Sequence, residues 1–180
     1  MGEMVNALQS RPSITDITLE GGQFLTFMLA GKVYALGILH IREIIDYGDL
    51  TEVPMMPDFI KGVINLRGRV VPVVDLSARF GQGVTKIARR TCIVIVEVND
   101  NSQRDGSASL TQLIGIVVDA VNEVVDIQGS EIEPPPSFGT QIRTEFISGM
   151  AKRNGRFIIL LAIDKVLSVE EMSHLGQMGG

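Results

Sequence analysis

Asp75 and Asp164 each follow an apolar run, residues 70–74 and 157–163, in two similar stretches of the chain. One carboxylate from each of two related lobes is the arrangement by which aspartic proteases share a proton between two acids and activate water. Those enzymes present Asp-Thr-Gly or Asp-Ser-Gly from each lobe, whereas here Asp75 is followed by Leu76-Ser77 and Asp164 by Lys165-Val166. Both acids stand instead where helix N-caps are expected. Asp75 precedes residues 76–80, and Asp164 precedes residues 165–175, where Ser168 and Glu171 also have capping-box spacing.

The other reactive side chains do not assemble in sequence. His40 and His174 are the two histidines and Cys92 the one cysteine, with neither zinc-ligand spacing nor a local Cys/His nucleophile pair. Cys92 opens the apolar run 92–96 and reads as a small buried hydrophobe; a single cysteine forms no intramolecular disulfide, which points to the cytosol. Residues 62–68 lack the Gly-Lys-Ser/Thr of a phosphate loop, and Gly81-Gln82-Gly83 lacks the third glycine of a dinucleotide site. No catalytic residue, cofactor or metal is expected. With 16 Lys+Arg against 21 Asp+Glu, a net charge of -5, no Trp and 5% aromatics, the chain offers nucleic acid neither a basic groove nor a stacking platform. The longest apolar runs are too short to span a bilayer. Protein partners are what remains.

The elements that would position a binding surface belong to a duplicated unit. Phe59-Ile60-Lys61-Gly62 leads to Gly68-Arg69 and an apolar strand, and Phe146-Ile147-Ser148-Gly149 leads to Gly155-Arg156 and another. Upstream, residues 41–46 (Ile-Arg-Glu-Ile-Ile-Asp) parallel residues 121–126 (Val-Asn-Glu-Val-Val-Asp), with Pro54 and Pro134 at matching distances beyond. So long a period suits a domain duplicated in tandem, each copy burying a core of its own. Glycine-punctuated β-rich runs predict hairpins around Ala30-Gly31-Lys32, around Arg67-Gly68 and around Asn154-Gly155, and a fourth across the polar insertion 99–109. Pro134-Pro135-Pro136 marks a stiff connector. About five short strands per copy predict a mainly β fold of two tandem barrels, with short helices including one at the C-terminus. The expected boundaries are an N-terminal arm at 1–21, a first barrel repeat at 22–87, a second at 88–168, and a C-terminal helix end and tail at 169–180.

The string from Phe59 to Leu76, with Asn65-Leu66-Arg67-Gly68 at its centre, is the most distinctive part of the chain. Together with Tyr34-Ala35-Leu36, Ile41-Arg42-Glu43-Ile44, Pro54, Pro57 and residues 115–121, it resembles the CheW family of bacterial chemotaxis coupling proteins over about residues 22–173. The resemblance implies a non-enzymatic, cytoplasmic adaptor of two SH3-like five-stranded β-barrels that partly exchange elements between the halves. Such an adaptor joins the cytoplasmic hairpin tip of chemoreceptors to the regulatory domain of the histidine kinase CheA. It is implied to be monomeric in isolation and recruited to membrane-bound receptor arrays without inserting into the bilayer. The resemblance further implies receptor contacts at Ile41, Glu43 and Ile44, at Asn65, Arg67 and Gly68, and at Val117 and Val118 in a groove between the barrels; it assigns no kinase contact. Ile41 and Ile44 read equally well as core residues, whereas the charges of Glu43 and Arg67 resist burial. CheV-type proteins add a receiver domain and CheA adds catalytic domains to the same module, so with an end at Gly180 a free-standing coupling protein is expected. The insertion at 99–109 departs from the family pattern.

Overall fold

The computed structural model describes residues 21–48, 50–100, 110–135 and 144–167. The arm at 1–20, most of the polar insertion, Pro136 and the C-terminal segment with Ser168, Glu171 and His174 lie outside the described residues. The first copy supplies β1 (Gly22–Leu29), β2 (Lys32–Gly37), β3 (Ile41–Asp46), β4 (Ile60–Leu66), β5 (Arg69–Asp75) and a single helical turn, α1 (Leu76–Arg79). The second supplies β6 (Cys92–Asp100), β7 (Leu110–Val118), β8 (Ala120–Ile127), the two-residue β9 (Ile132–Glu133), β10 (Ile147–Arg153), β11 (Arg156–Leu161) and α2 (Ile163–Val166). The fold is mainly β, as expected. Among the described residues no helix is long and apolar enough to cross a membrane.

The sheets do not follow the copies. One has six strands in the order β8-β1-β2-β11-β10-β9, and the other has five in the order β3-β6-β7-β5-β4. The hairpin β1–β2 of the first copy therefore lies among strands of the second, and β6–β7 of the second completes the sheet of the first. The seams are the parallel pairs, β2 with β11 and β5 with β7. The repeat boundary near residue 87 thus divides the duplication but not the sheets, and neither sheet is built from one copy alone. The reason lies in the links. Asp119 alone separates β7 from β8, and a hairpin needs at least two turn residues to reverse onto the same sheet. The chain bends into the other sheet instead, where the Asp119 carboxylate accepts a hydrogen bond from the Ala30 N–H at 2.9 Å and its own N–H donates to the Met28 carbonyl at 3.0 Å.

Period-two alternation then builds three cores. On β6, Ile93 and Ile95 turn toward Ile64, Val71, Val73 and Val117 within the five-stranded sheet. Val94, Val96 and Val98 turn the other way, to meet Leu25, Phe27, Leu29 and Leu36 of the six-stranded sheet. Ala35, Ile127, Ile132, Ala151, Ile158 and Leu160 fill the six-stranded sheet's own concavity. Each such aliphatic side chain, fully buried, contributes about 1.5–3 kcal/mol before conformational entropy is charged against it. Through the shared core runs an aromatic ladder, Phe27 to Tyr34 to Phe80 to Phe146, with centroid spacings of 6.1, 5.8 and 5.9 Å. Arg79 caps it, its guanidinium carbon 4.9 Å from the centre of the Phe146 ring and its Nε–H donating to the Val166 carbonyl at 3.2 Å. Both copies are thereby tied together at the ends of α1 and α2.

Both copies also cross from one edge of a sheet toward the other. Thr51, beyond β3, makes an isolated antiparallel bridge to Val63 on β4, and β9, beyond β8, pairs with Met150 and Ala151 on β10. Gly62 permits the first crossing. Its φ is +152°, and a Cβ there would stand 2.3 Å from the Thr51 carbonyl oxygen.

Asp75 caps α1 as the sequence predicts, its Oδ1 accepting from the N–H groups of Ser77 at 3.1 Å and Ala78 at 3.4 Å. It does more than cap. The same carboxylate accepts from the Thr85 N–H at 2.8 Å and the Thr85 hydroxyl at 2.7 Å, and Lys61 Nζ approaches to 3.9 Å. Asp164 is not a cap, which corrects the other expectation: Ala162 holds the N-cap position of α2, and Asp164 sits in its first turn, accepting from the Asn99 N–H at 3.3 Å. Strand register explains the difference. Ile60 pairs with Val74 and Ile147 with Leu161, so the residue after Leu161, not Asp164, corresponds to Asp75.

Candidate functional site

The Arg67-Gly68 turn joining β4 to β5 has φ of 53° and 86° at its two central residues, a two-residue turn with both positions left-handed, whose twist matches that of the flanking strands. Asn65 Oδ1 accepts from the Gly68 N–H at 2.8 Å and braces it. At Asn154-Gly155 the other copy makes the same turn, φ 51° and 77°, with the residue type that tolerates this conformation best. Arginine does not share that tolerance, and left-handed backbone costs a non-glycine residue roughly 1–2 kcal/mol.

The strained arginine reaches across to Glu43 on β3, Nη2 to Oε2 at 2.8 Å, with 78% of the Arg67 side chain and 24% of the Glu43 side chain exposed. An exposed ion pair contributes about 0.2–1 kcal/mol, so stability does not account for an arginine here. A charged pair held at a rigid, uncovered tip is the arrangement of a contact surface. Around it, Arg42, Glu43, Leu66, Arg67, Arg69 and Leu113 line an open groove of about 390 Å³. Strand alternation accounts for this set. Leu66, Arg69 and Leu113 continue the inward-facing rows of Ile64, Val71 and Gly115 past the last buried layer, so the groove is the mouth of the five-stranded sheet. At its rim Glu97 accepts from the Thr111 hydroxyl at 2.7 Å and pairs with Arg42 at 3.0 Å. The Thr111 hydrogen bond, then Arg42, hold the Glu97 carboxyl below the usual range.

The six-stranded sheet repeats this mouth, with Glu123, Asn154 and Arg156 at the positions of Glu43, Arg67 and Arg69. Asn154 carries no charge, so Glu123 has no counterpart of Arg67 there; the ion pair at this second mouth joins Arg153 to Glu131 instead, at 3.5 Å.

The residues expected at the site divide into three groups. Glu43, Asn65, Arg67 and Gly68 come together, with Gly68 exposed and nothing within 4 Å of where its Cβ would be. Ile44 is 43% exposed, on the other face of β3 from Glu43, and Ile41 packs against the shared core. A bulge lies between the two isoleucines: Ile41 pairs with Val96 but Glu43 with Ile95, so Arg42 is the extra residue, and Ile44, opposite Val94, comes onto the same side as Ile41 while Glu43 turns to the mouth of the five-stranded sheet. Val117 and Val118 are fully buried, Val117 in the core of the five-stranded sheet and Val118 in the shared core. Neither lines an open groove, and the surface described here excludes them. Arg42, Arg69 and Glu97 were not expected. Arg69 was within reach of the sequence, because residues flanking a two-residue hairpin turn pair directly and share a face, which sets Arg69 beside Leu66. Cys92 is half-buried, its thiol donating to the Arg90 carbonyl at 3.2 Å. Among the described residues no group of three or more His, Cys, Asp or Glu side chains is placed to hold a metal ion.

The CheW-like domain family matches residues 23–171. The chain belongs to the CheW family. Its relatives include the chemotaxis protein CheW of Klebsiella aerogenes, 35% identical over 153 residues, 85% of this chain and 86% of that one. The chemotaxis protein CheW of Bacillus subtilis is 32% identical over 151 residues, covering 83% and 89%. The crystal structure of the scaffolding protein TtCheW from Thermoanaerobacter tengcongensis superposes with a TM-score of 0.69 at 37% identity, covering 81% of this chain and 87% of that one. Membership of the CheW family therefore spans both sheets and includes the Asn65–Gly68 turn, Glu43 and the exchanged hairpins.

Proposed function

We propose that this protein is a chemotaxis adaptor that couples the cytoplasmic tip of chemoreceptors to the histidine kinase CheA, and that the receptor docks at the mouth of the five-stranded sheet. The observation that carries the reading is the Glu43–Arg67 pair, held on a left-handed turn whose strain its own stability does not repay. A docked helix would meet preorganised groups here: a flat tip at Gly68, an oriented guanidinium, and the apolar side chains of Leu66 and Leu113. Preorganisation of this kind lowers the ordering cost of association. Family membership supports the reading, since the relatives are chemotaxis proteins and one is described as a scaffolding protein. The exchanged hairpins make the two sheets one mechanical body, suited to holding two partners at a fixed separation.

An adaptor does no chemistry of its own. The expected result of reconstitution is that receptor control of CheA autophosphorylation appears when receptor, kinase and this protein are all present and is lost when this protein is omitted. The purified chain is expected to hydrolyse neither ATP nor peptides. Reproducible hydrolysis abolished by a single point substitution would refute the adaptor reading.

A further inference from the structure

The groove around the Glu43–Arg67 pair holds three guanidiniums, Arg42, Arg67 and Arg69, against the carboxylates of Glu43 and Glu97. Arg67 is matched with Glu43 and Arg42 with Glu97. Arg69 is left over: among the described residues it makes no ion pair or hydrogen bond, although it lies near enough to Glu97 to favour its ionised form. Its backbone is fixed directly opposite Leu66, one residue beyond the turn. The chain as a whole carries a net charge of -5, whereas among the described residues this groove gathers three guanidiniums against two carboxylates, a local reversal of sign. An exposed guanidinium beside the apolar Leu66 and Leu113 is suited to a planar, bidentate acceptor.

We infer that Arg69 is a specificity-determining residue of the docking groove, which receives an aspartate or glutamate side chain projecting from the docked receptor helix. This inference rests on the receptor-docking reading above and adds to it the chemistry of the partner. Arg67, already neutralised by Glu43, sets position and orientation; Arg69 supplies the unbalanced charge that selects an acidic partner. The corresponding mouth of the six-stranded sheet has Arg156 at this position, but its ion pair joins Arg153 to Glu131 and its turn carries Asn154 in place of an arginine, so it presents a different pattern of charge.

The test is a titration of a soluble receptor hairpin fragment against the full chain and two variants, Arg69→Gln and Arg67→Glu, at low and at high salt. Arg69→Gln is expected to bind about fivefold more weakly at low salt, the difference shrinking toward nothing at high salt, as for an accessible charge pair. Each acidic residue of the fragment's tip is then changed to its amide. One such change should weaken binding to the wild-type chain by a similar factor and have no further effect on Arg69→Gln, which isolates the pair. Unchanged melting of Arg69→Gln establishes that folding is not the cause. If Arg67→Glu loses affinity while Arg69→Gln binds like wild type at both salts, the inference about Arg69 fails and the docking reading stands. Failure of the fragment to bind wild type, or indifference to Arg67→Glu, overturns the docking reading and this inference with it.

Discussion

Asp75→Ala is expected to lower folding stability by about 3 kcal/mol, at the upper end of ordinary single substitutions. A surface N-cap removed by alanine costs about 1 kcal/mol. Asp75 is fully buried, and beyond the two cap bonds to Ser77 and Ala78 it holds both the N–H and the hydroxyl of Thr85, itself buried. Alanine would leave these donors, and the nearby Lys61 ammonium, without their acceptor, and a buried donor stripped of its partner costs about 1–3 kcal/mol. For a chain of 180 residues, a loss of about 3 kcal/mol corresponds to a fall of about 6–12 °C in melting temperature. Asp75→Asn keeps the shape and one carbonyl acceptor and is expected to lose about half as much. Calorimetry or urea unfolding decides the point; a loss below about 1 kcal/mol for Asp75→Ala would mean that Thr85 and the cap find other partners and that the 76–85 segment is not held by this carboxylate.

What the sequence made legible was whatever is decided locally. The Arg67-Gly68 and Asn154-Gly155 turns, the Asp75 cap and the pairing within each hairpin depend on neighbours a few residues apart, and all were read correctly. The exchange of β1–β2 and β6–β7 between sheets is decided by long-range edge pairing: an exchange of elements is implied by the family resemblance, whereas in the residues themselves the trace is the brevity of the link at Asp119. The Asp164 cap was misread because the duplicated strands were aligned on their aspartates, whereas the pairing of Ile147 with Leu161 sets the register. The site followed the same rule. Glu43 and Arg67 were legible as charges that resist burial. Ile41 and Ile44 lie three apart and would face oppositely in a regular strand; the bulge at Arg42 brings both onto the side of Val94 and Val96, and no period-two reading detects an inserted residue without its partner strand. Val117 and Val118 lie on a strand paired on both sides, by β6 and by β5, and such a strand is buried on both faces.

Arg67→Glu is expected to weaken receptor binding by about 10- to 100-fold, a loss of about 1.4–2.7 kcal/mol and thus of hot-spot size. The substitution removes the oriented guanidinium and sets a second carboxylate against Glu43, where the present contact is 2.8 Å. In the free protein, however, both side chains can swing into solvent, so thermal stability should change by less than about 0.5–1 kcal/mol. Two further variants separate the roles of charge and backbone. Arg67→Asn places a residue tolerant of left-handed φ at the turn; it is expected to raise stability slightly while still weakening binding, since the guanidinium is gone. The charge swap Glu43→Arg with Arg67→Glu restores an internal ion pair with reversed polarity. If the guanidinium at the turn tip itself meets the receptor, the swap recovers stability without recovering affinity; if the pair serves only to brace β3 against the turn, affinity returns with it. A receptor fragment that bound wild type and Arg67→Glu equally well would show that the turn is structural and that the docking surface lies on another face of the two sheets.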